Sequence, residues 1–284
     1  MFRKLLKKST KNVMKQNSTF YQIHKGDKCY IFGNGDSIKY FDLGCFNDKI
    51  SFGCNILRVH KDFNKLNLKY YVSVHPLLYS PIWRGVQSGA HLEINPYYNF
   101  YKNLNNTGYI HFVHASNYFF IKNKSNYRFV HNLNKKPLDI KYCDFTSSSS
   151  FVDGGLSTMI GLAIYMGFKK AYLVGCDYFY KPIVNGHFWD RNNARYDYSS
   201  TEIYGEKLIS SIGDAIDLTV ITRKGFSSIQ KSIQYENLFN TKENFKPADK
   251  IISKRNLKAL DKTLYLRFSS KEKYLKAISK IKVS

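Results

Sequence analysis

One helix–strand unit, between residues 153 and 177, constrains the fold more than any other part of the chain. Gly154-Gly155 leads into Leu156–Gly167, whose residues are apolar or small throughout. This run predicts a buried helix that ends at Gly167. The chain then turns into Ala171–Val174, which predicts a buried strand. A helix that feeds a strand this closely is typical of a parallel α/β layer.

Short apolar runs elsewhere predict further strands, and helical segments alternate with them. The predicted strands are Cys29–Phe32, Lys49–Asn55, Tyr70–Val74 and Leu218–Thr222, and Glu202–Ile216 predicts a second helix. Two more short apolar runs lie at Ile110–Val113 and Arg128–Val130. This alternation predicts an α/β fold with a doubly wound, mostly parallel sheet of Rossmann type and helices on both faces.

The positive charge is concentrated at the two ends of the chain. Lys and Arg number 44 against 21 Asp and Glu, a net charge of +23. Residues 1–16 carry six basic residues and no acid, and residues 241–284 carry 13 basic and four acidic residues. We therefore expect a basic N-terminal segment (1–26), a body (27–240) and a basic, amphipathic helical tail (241–284).

Both ends have the pattern of basic amphipathic helices. Their apolar residues recur at spacings of three and four among lysines, as in helices that bind an anionic membrane surface. A solvated surface in a lysine-rich protein is the alternative. No apolar run reaches the ~18–20 residues of a membrane span, and Met1–Gln16 lacks the apolar core of a secretory signal. We expect a cytoplasmic protein, peripheral on the inner face of the membrane.

Two other classes of partner are not expected. The chain carries no nucleic-acid-binding motif, so we expect no nucleic acid as partner. Its five cysteines form no Cys-x-x-Cys pair, so we expect reduced thiols and no metal site. A homo-oligomer is left open.

A glycine-rich turn, Gly33-Asn34-Gly35-Asp36-Ser37, follows the first predicted strand directly. Glycine lets a ligand approach the backbone, and the helix start that follows offers free N–H groups to a phosphate. The turn lacks the third glycine of the dinucleotide fingerprint and the Lys-Ser/Thr of a P-loop, so a plain β–α turn is the alternative. Other polar residues end neighbouring strands and should converge on the same edge of the sheet: Asn55, His75, Asp153 and Asp177.

These motifs, in this order, resemble those of bacterial sialyltransferases of glycosyltransferase family forty-two. That family has a Gly-Asn-Gly-Pro-Ser turn, a Cys-Asn, a Ser-Gly opening a buried helix, and a strand ending in Gly-x-Asp-Phe-Tyr. The chain also resembles a broader bacterial family described as sialyltransferase-like or hydroxymethylpterin-pyrophosphokinase-like. Three stretches carry that second resemblance: Met166–Asp177, Asn185–Phe188 and Tyr235–Phe239.

The resemblance, over about residues 27–240, implies a glycosyltransferase with a variant GT-A fold and nucleotide-sugar binding. It implies a CMP-activated acidic sugar (sialic acid or a related nonulosonate), a glycan acceptor of the cell surface such as lipooligosaccharide or capsule, and inversion. No metal cofactor is obligatory, with Mg²⁺ at most stimulatory. Residues 77–150 are the expected acceptor or lid region. By position, the phosphate would be cradled by Gly33, Asn34, Gly35 and Ser37. Asn55 would lie near phosphate and sugar, and His75 would face the nucleotide. The donor sugar would be faced by Asp153, Gly154 and Gly155. Asp177 is assigned either to the ligand or to ordering its loop.

The catalytic candidates follow from the same resemblance. The family uses a pair of tyrosines to help the phosphate leave, and here Phe179 takes the place of the first, flanked by Tyr178 and Tyr180. The family's general base is a histidine, and His187 is the last histidine of the chain. A neutral histidine can accept a hydroxyl proton at physiological pH.

Two other functions remain open at this point. A pyrophosphoryl transferase acting on a small alcohol would need Mg²⁺ held by clustered carboxylates, whereas Asp36, Asp153, Asp177 and Asp190 are scattered along the sequence. A non-catalytic protein that binds glycans or a membrane surface is the other alternative, since aromatic residues make up 16% of the chain and can stack on sugars.

Overall fold

A computed structural model describes residues 2–84, 92–94, 101, 108–130, 140–147, 154–180, 183–191, 195–197, 203–227 and 230–260. The strands are β1 (Lys28–Phe32), β2 (Ile50–Cys54), β3 (Leu68–Ser73), β4 (Ile82–Arg84), β5 (Leu92–Ile94), β6 (Ile110–His114), β7 (Tyr127–Val130), β8 (Lys170–Val174), β9 (Ile183–Asn185), β10 (Arg195–Asp197), β11 (Asp217–Thr222) and β12 (Ser232–Gln234). Five α-helices have both ends within the described residues: α1 (Phe2–Lys15), α2 (Gly155–Tyr165), α3 (Ile203–Ile212), α4 (Tyr235–Phe239) and α5 (Ala248–Ile251). Residues 254–260 are helical as well.

Eight strands form one parallel sheet in the order β12-β11-β8-β1-β2-β3-β6-β7. The first strand lies in the middle, and the chain winds outward from it to one side as far as β7 and then to the other side from β8. The predicted doubly wound α/β sheet is therefore confirmed. Its topological switch point lies between β1 and β8, where ligands of such sheets bind at the carboxyl ends of the strands. Two antiparallel pairs, β4–β5 and β9–β10, stand apart from the sheet.

The two faces of the sheet are covered differently. The helices α2 and α3 pack on one face, where Met159, Ile160 and Leu208 are buried against the strands. The connections between β1, β2 and β3 cover the other face with short 3-10 helices instead, which bury Ile38 and Leu57. Right-handed crossovers explain the division, since strands added in opposite directions place their connections on opposite faces.

The buried helix predicted from its apolar sequence is confirmed as α2. Gly167, with φ of +87°, allows the turn that separates α2 from β8. The predicted helix 202–216 is shorter, because Gly213 adopts φ of +57° directly after α3. The helix start expected after the glycine turn is a 3-10 helix, Asp36–Tyr40.

Packing extends beyond the predicted body at both ends. On the N-terminal side, Met14 and Phe20 are buried, and α1 packs against the edge strand β7. On the C-terminal side, Ile252 and Leu257 are buried in the second face of the sheet, and Lys246 N–H donates to Lys39 O at 2.7 Å. The described chain up to residue 260 is therefore part of the packed molecule, and the boundary predicted at residue 240 lies inside it. Residues 261–284 of the predicted tail lie outside the described residues.

None of the helices within the described residues combines the length and the apolar character that crossing a membrane requires. Of the predicted acceptor region 77–150, the structure describes β4 to β7 and short flanking segments.

Candidate functional site

The glycine turn lies against the loop that follows β8. Gly33 N–H donates to Val174 O and Gly35 N–H donates to Gly175 O, both at 2.8 Å. A Cβ at residue 33 would overlap the carbonyl of Gly175, so the first glycine is required by this close approach of two backbones. The two glycine amides are engaged inside the protein, and a phosphate at this turn would have to take its hydrogen bonds from other groups.

The side chain of Asp177 holds the turn through hydrogen bonds to Ser37. Its carboxylate accepts hydrogen bonds from Ser37 N–H at 2.8 Å and from Ser37 Oγ–H at 2.5 Å, and a Cβ at Gly35 would overlap this carboxylate. Burial raises the pKa of Asp177 to about 6, and the hydrogen bonds from Ser37 oppose that rise. Two roles were open for Asp177, ligand contact or ordering of the loop that follows its strand. These contacts favour an ordering role, but the segment that Asp177 orders is the glycine turn.

His187 lies beside the same turn. Its backbone forms an antiparallel bridge with Gly35, and Phe188 N–H donates to Asn34 O at 3.2 Å. The imidazole of His187 is half exposed and stacks on the Trp189 indole, with 4.3 Å between ring centroids. Backbone pairing therefore places the predicted general base next to the predicted phosphate turn, 152 residues earlier in the sequence.

Asp190 faces His187 and completes a pair. Its Oδ2 accepts a hydrogen bond from His187 N–H at 2.7 Å and lies 3.5 Å from Nδ1 of the ring. Burial opposes ionisation of Asp190, but the hydrogen bonds from His187 and the charge of Lys39 hold its pKa below the ordinary value. A carboxylate near Nδ1 favours the tautomer that leaves Nε2 free to accept a proton.

A buried ion pair ties this loop to the turn. Lys39 Nζ lies 2.6 Å from Asp36 Oδ1 and donates to Asp190 O at 2.8 Å, and both side chains of the ion pair are almost fully buried. On a 3-10 helix, residues three apart lie one above the other, which brings the two charges together. Lys39 thus holds the backbone of Asp190, and with it His187, at a fixed distance from the turn.

The end of β2 supplies the next side of the site. Asn55 has a left-handed backbone, with φ of 50°, and its carbonyl accepts a hydrogen bond from Tyr71 Oη at 2.7 Å. Its side chain forms no hydrogen bond with any other residue that the structure describes, and its Nδ2 lies 3.6 Å from where a Cβ on Gly155 would be. Asn55 therefore adjoins the N-terminus of α2, whose first N–H groups have no partner inside the helix.

Asn34 links the turn to β2. Its Nδ2 donates to Cys54 O and Cys54 Sγ, both at 3.3 Å, whereas its buried Oδ1 has no hydrogen-bond partner among the described residues. Because a flipped amide would set two oxygens against each other at Cys54, the hydrogen bond to Cys54 O fixes the orientation of the side chain.

The tyrosine candidates differ in accessibility. Tyr178 is 48% exposed, whereas Tyr180 is buried and its hydroxyl donates to Ile221 O at 2.7 Å. Burial raises the pKa of Tyr180 well above its ordinary value. Phe179 between them is buried in the core. Tyr178 is thus the more accessible of the two tyrosines.

The other predicted residues are placed as follows. Gly154 and Gly155 open α2 beside Asn55, and the Gly154 carbonyl accepts a hydrogen bond from Thr158 Oγ1 at 2.9 Å. His75 is exposed after the end of β3, and its carbonyl accepts a hydrogen bond from Asn117 Nδ2 at 3.3 Å. Asp153 lies outside the described residues.

Lys39, Asp190 and the unpaired Oδ1 of Asn34 are the site features that sequence reasoning missed. A signal existed for the first two, since Asp36/Lys39 and His187/Asp190 are both spaced by three residues. Within the ranges that the structure describes, no three His, Cys, Asp or Glu side chains converge as metal ligands would, and all five cysteines are free thiols.

No protein-family model matches the sequence, and no curated protein matches it either. Solved structures of similar fold do exist. The sialyltransferase CstII from Campylobacter jejuni, in complex with cytidine-5'-monophosphate, is 16% identical with a TM-score of 0.42 over 84% of this chain and 98% of its own. The monofunctional α-2,3-sialyltransferase Cst-I from the same organism is 15% identical with a TM-score of 0.40 over 84% and 95%.

A second kind of enzyme appears among the structural neighbours. The MAf glycosyltransferase from Magnetospirillum magneticum AMB-1 is 11% identical with a TM-score of 0.46, and the match covers 89% of this chain and 41% of that protein. The structural neighbours thus include sialyltransferases and another glycosyltransferase.

Proposed function

We propose that the chain is a glycosyltransferase that moves an acidic sugar from a CMP-activated donor to a hydroxyl of a glycan, with inversion and without an obligatory metal. One observation carries the proposal: the Gly35–His187 bridge sets a half-exposed histidine, paired with a carboxylate, beside a glycine turn at the switch point of a doubly wound sheet. A nucleotide binds at such a point, and a base beside it can act on the second substrate.

In the proposed reaction His187 Nε2 takes the proton of the acceptor hydroxyl. The acceptor oxygen forms a bond to the anomeric carbon of the donor sugar, while the bond from that carbon to the phosphate oxygen breaks. The electron pair of the broken bond leaves with CMP, and the proton stays on the imidazole until solvent removes it. Attack from the side opposite the leaving group inverts the anomeric carbon. The nearby carboxylate of Asp190 stabilises the imidazolium that forms.

The negative charge that develops on the leaving phosphate needs hydrogen-bond donors. The N-terminus of α2 offers N–H groups that have no partner inside the helix, together with the positive end of a helix dipole. We assign two further donors to this phosphate: Asn55 Nδ2, which lies beside that N-terminus, and Tyr178, which is 48% exposed. Donors of this kind can stabilise a leaving phosphate without a metal ion. The net charge of +23 also favours an acidic donor over a neutral one.

Nucleotide binding tests the donor class. Thermal unfolding is followed with CMP, CDP, UDP, GDP and ATP, each with and without Mg²⁺. A ligand at 100 times its Kd adds about 2.7 kcal/mol to the free energy of unfolding, which raises Tm by several degrees. We expect CMP alone to stabilise the protein. Stabilisation by ATP only with Mg²⁺ would replace the proposal with the pyrophosphoryl transferase, and no effect of any nucleotide would favour a non-catalytic binding protein.

Two substitutions test the base. His187→Ala should lower turnover about 10²–10⁴-fold and leave the stabilisation by CMP intact, because the side chain acts on the acceptor and not on the nucleotide. Asp190→Asn keeps an oxygen for the His187 N–H but removes the charge that orients the ring, so it should lower kcat by a smaller factor at nearly unchanged KM. Full turnover by the His187→Ala variant would refute the assignment of the base.

A further inference from the structure

An exposed aromatic loop adjoins the basic N-terminal helix. Phe119 and Phe120 are 50% and 41% exposed, and Lys122 is exposed next to them. Buried Ile121 of this loop and buried Met14 of α1 belong to one apolar cluster, and α1 also packs against the 3-10 helix Ala115–Asn117 that precedes the loop. The loop Tyr118–Lys124 and α1 therefore form one continuous surface, which we name the Phe119 surface.

This surface contains no acidic residue. Residues 2–26 and 108–130, which contain its two parts, hold no Asp or Glu. On α1, Lys11 and Lys15 are exposed and lie four residues apart, on one side of the helix. Lys124, in the loop, lies 4.9 Å from the centre of the Tyr118 ring. The Phe119 surface thus combines two exposed phenylalanines with lysines and has no acidic residue of its own.

We infer that the Phe119 surface docks the protein onto an anionic lipid bilayer, with Phe119 and Phe120 inserted among the headgroups and the lysines facing lipid phosphates. Exposed aromatic rings on a surface that also carries exposed lysines match a bilayer interface, which is apolar below the headgroups and negative at the surface. A second copy of this chain would bring the same positive charge against itself. Two signals of this kind, apolar insertion and basic attraction, together give stable attachment where one alone is weak. The inference does not depend on the proposed reaction.

Vesicle co-sedimentation of the full chain tests the docking. Vesicles of phosphatidylglycerol with phosphatidylcholine are compared with phosphatidylcholine alone, at 0.1 M and 1 M salt. The wild type should bind the anionic vesicles at 0.1 M salt and bind phosphatidylcholine at least about tenfold more weakly, and salt should weaken the binding because the Debye length falls from about 10 Å to about 3 Å. Equal binding to both kinds of vesicle would overturn the inference.

Matched substitutions locate the contact. Phe119→Ser with Phe120→Ser should weaken binding to anionic vesicles on the order of tenfold, because each ring loses its apolar insertion. Phe245→Ser removes a ring of equal exposure (52%) from the other end of the chain and should bind as the wild type does. Equal losses in both variants, or undiminished binding of the double variant, would refute the role of the Phe119 surface.

A third variant guards against misfolding of the double variant. In Phe119→Trp the indole should be quenched by brominated phospholipid in anionic vesicles, beyond any quenching of the wild type, whose tryptophans are Trp83 and Trp189. Absence of additional quenching would contradict insertion. If a single-stranded oligonucleotide displaces the vesicles and binds equally to wild type and double variant, the lysines act as a general anion site and the inference is wrong.

Discussion

Asp177 gives the sharpest test of the geometry at the turn, through the substitution Asp177→Asn. The wild-type carboxylate is buried and accepts two hydrogen bonds from Ser37. In the variant, the amide oxygen can accept from Ser37 N–H, and the amide NH₂ can donate to Ser37 Oγ once that hydroxyl turns. The substitution therefore preserves both contacts in shape and removes only the buried charge.

The magnitude follows from the pKa of the wild-type carboxyl. Burial raises it from 3.8 to about 6, a shift of about two units. Since one unit corresponds to about 1.4 kcal/mol, the shift is worth about 3 kcal/mol. The folded state binds the proton more tightly than the unfolded state does. The free energy of unfolding therefore loses this contribution as the pH rises from about 4 through about 6, and the loss is complete near pH 7.

The assay is chemical unfolding of wild type and Asp177→Asn at pH 4, 5, 6, 7 and 8. All other groups cancel in the difference, so the variant should gain about 2.4 kcal/mol relative to the wild type between pH 4 and pH 7, which is most of the full effect. Asp214→Asn, at an exposed carboxyl, should show no such gain. Parallel curves for wild type and Asp177→Asn would refute the buried, charged contact with Ser37. Retained CMP binding in the variant would assign Asp177 to ordering the turn.

Two further substitution pairs test the neighbouring residues. Gly35→Ala should lower the free energy of unfolding by about 1–3 kcal/mol and weaken CMP binding, because its Cβ overlaps the Asp177 carboxylate. The control Gly108→Ala meets open space and should leave both unchanged, so equal urea midpoints for the two variants would contradict the close approach at Gly35. Tyr178→Phe should lower kcat, whereas Tyr180→Phe should lower the free energy of unfolding by about 1 kcal/mol at nearly normal kcat. Steady-state kinetics and urea unfolding measure the two effects, and a loss of kcat in Tyr180→Phe instead of Tyr178→Phe would contradict the assignment.

The sheet was predictable because its strands carry their own signals. The apolar runs of β1, β2, β3, β8 and β11 lie between glycines and polar residues, and the strands are buried as such runs require. The second face was not predictable, since its 3-10 helices have no apolar period of their own. The packing of residues 241–260 could not be predicted for a related reason. Lysines separate the buried residues of this segment, and its composition is that of a solvated tail.

The sequence predicted which residues lie near one another at the site, but not the hydrogen bonds and ion pairs that they form. Strand ends converge in any parallel sheet, so Gly33, Asn55 and Asp177 could be brought together from sequence alone. Their partners could not, because the contacts of Asp177 with Ser37 and of Lys39 with Asp190 join residues more than 130 positions apart. Backbone pairing of His187 with the turn likewise has no local sequence signal.

The groups left without partners bear most directly on what binds here. The structure itself explains both glycines of the turn, Gly33 by the backbone of Gly175 and Gly35 by the Asp177 carboxylate, so neither glycine requires a ligand. Asn34 Oδ1 is different, since a buried acceptor without a partner costs about 1–3 kcal/mol. A phosphate cannot relieve that cost, because phosphate oxygens also accept, but a hydroxyl or an amino group can. Asn34 Oδ1 therefore suits a hydroxyl or amino group of a nucleotide better than its phosphate, and our proposal assigns the phosphate to the N-terminus of α2 and to Asn55, whose Nδ2 lies near it. A nucleotide sugar carries both kinds of group and pyrophosphate carries only acceptors, so CMP should raise Tm by several degrees more than pyrophosphate at equal ligand concentration, and the opposite order would refute this assignment of Asn34.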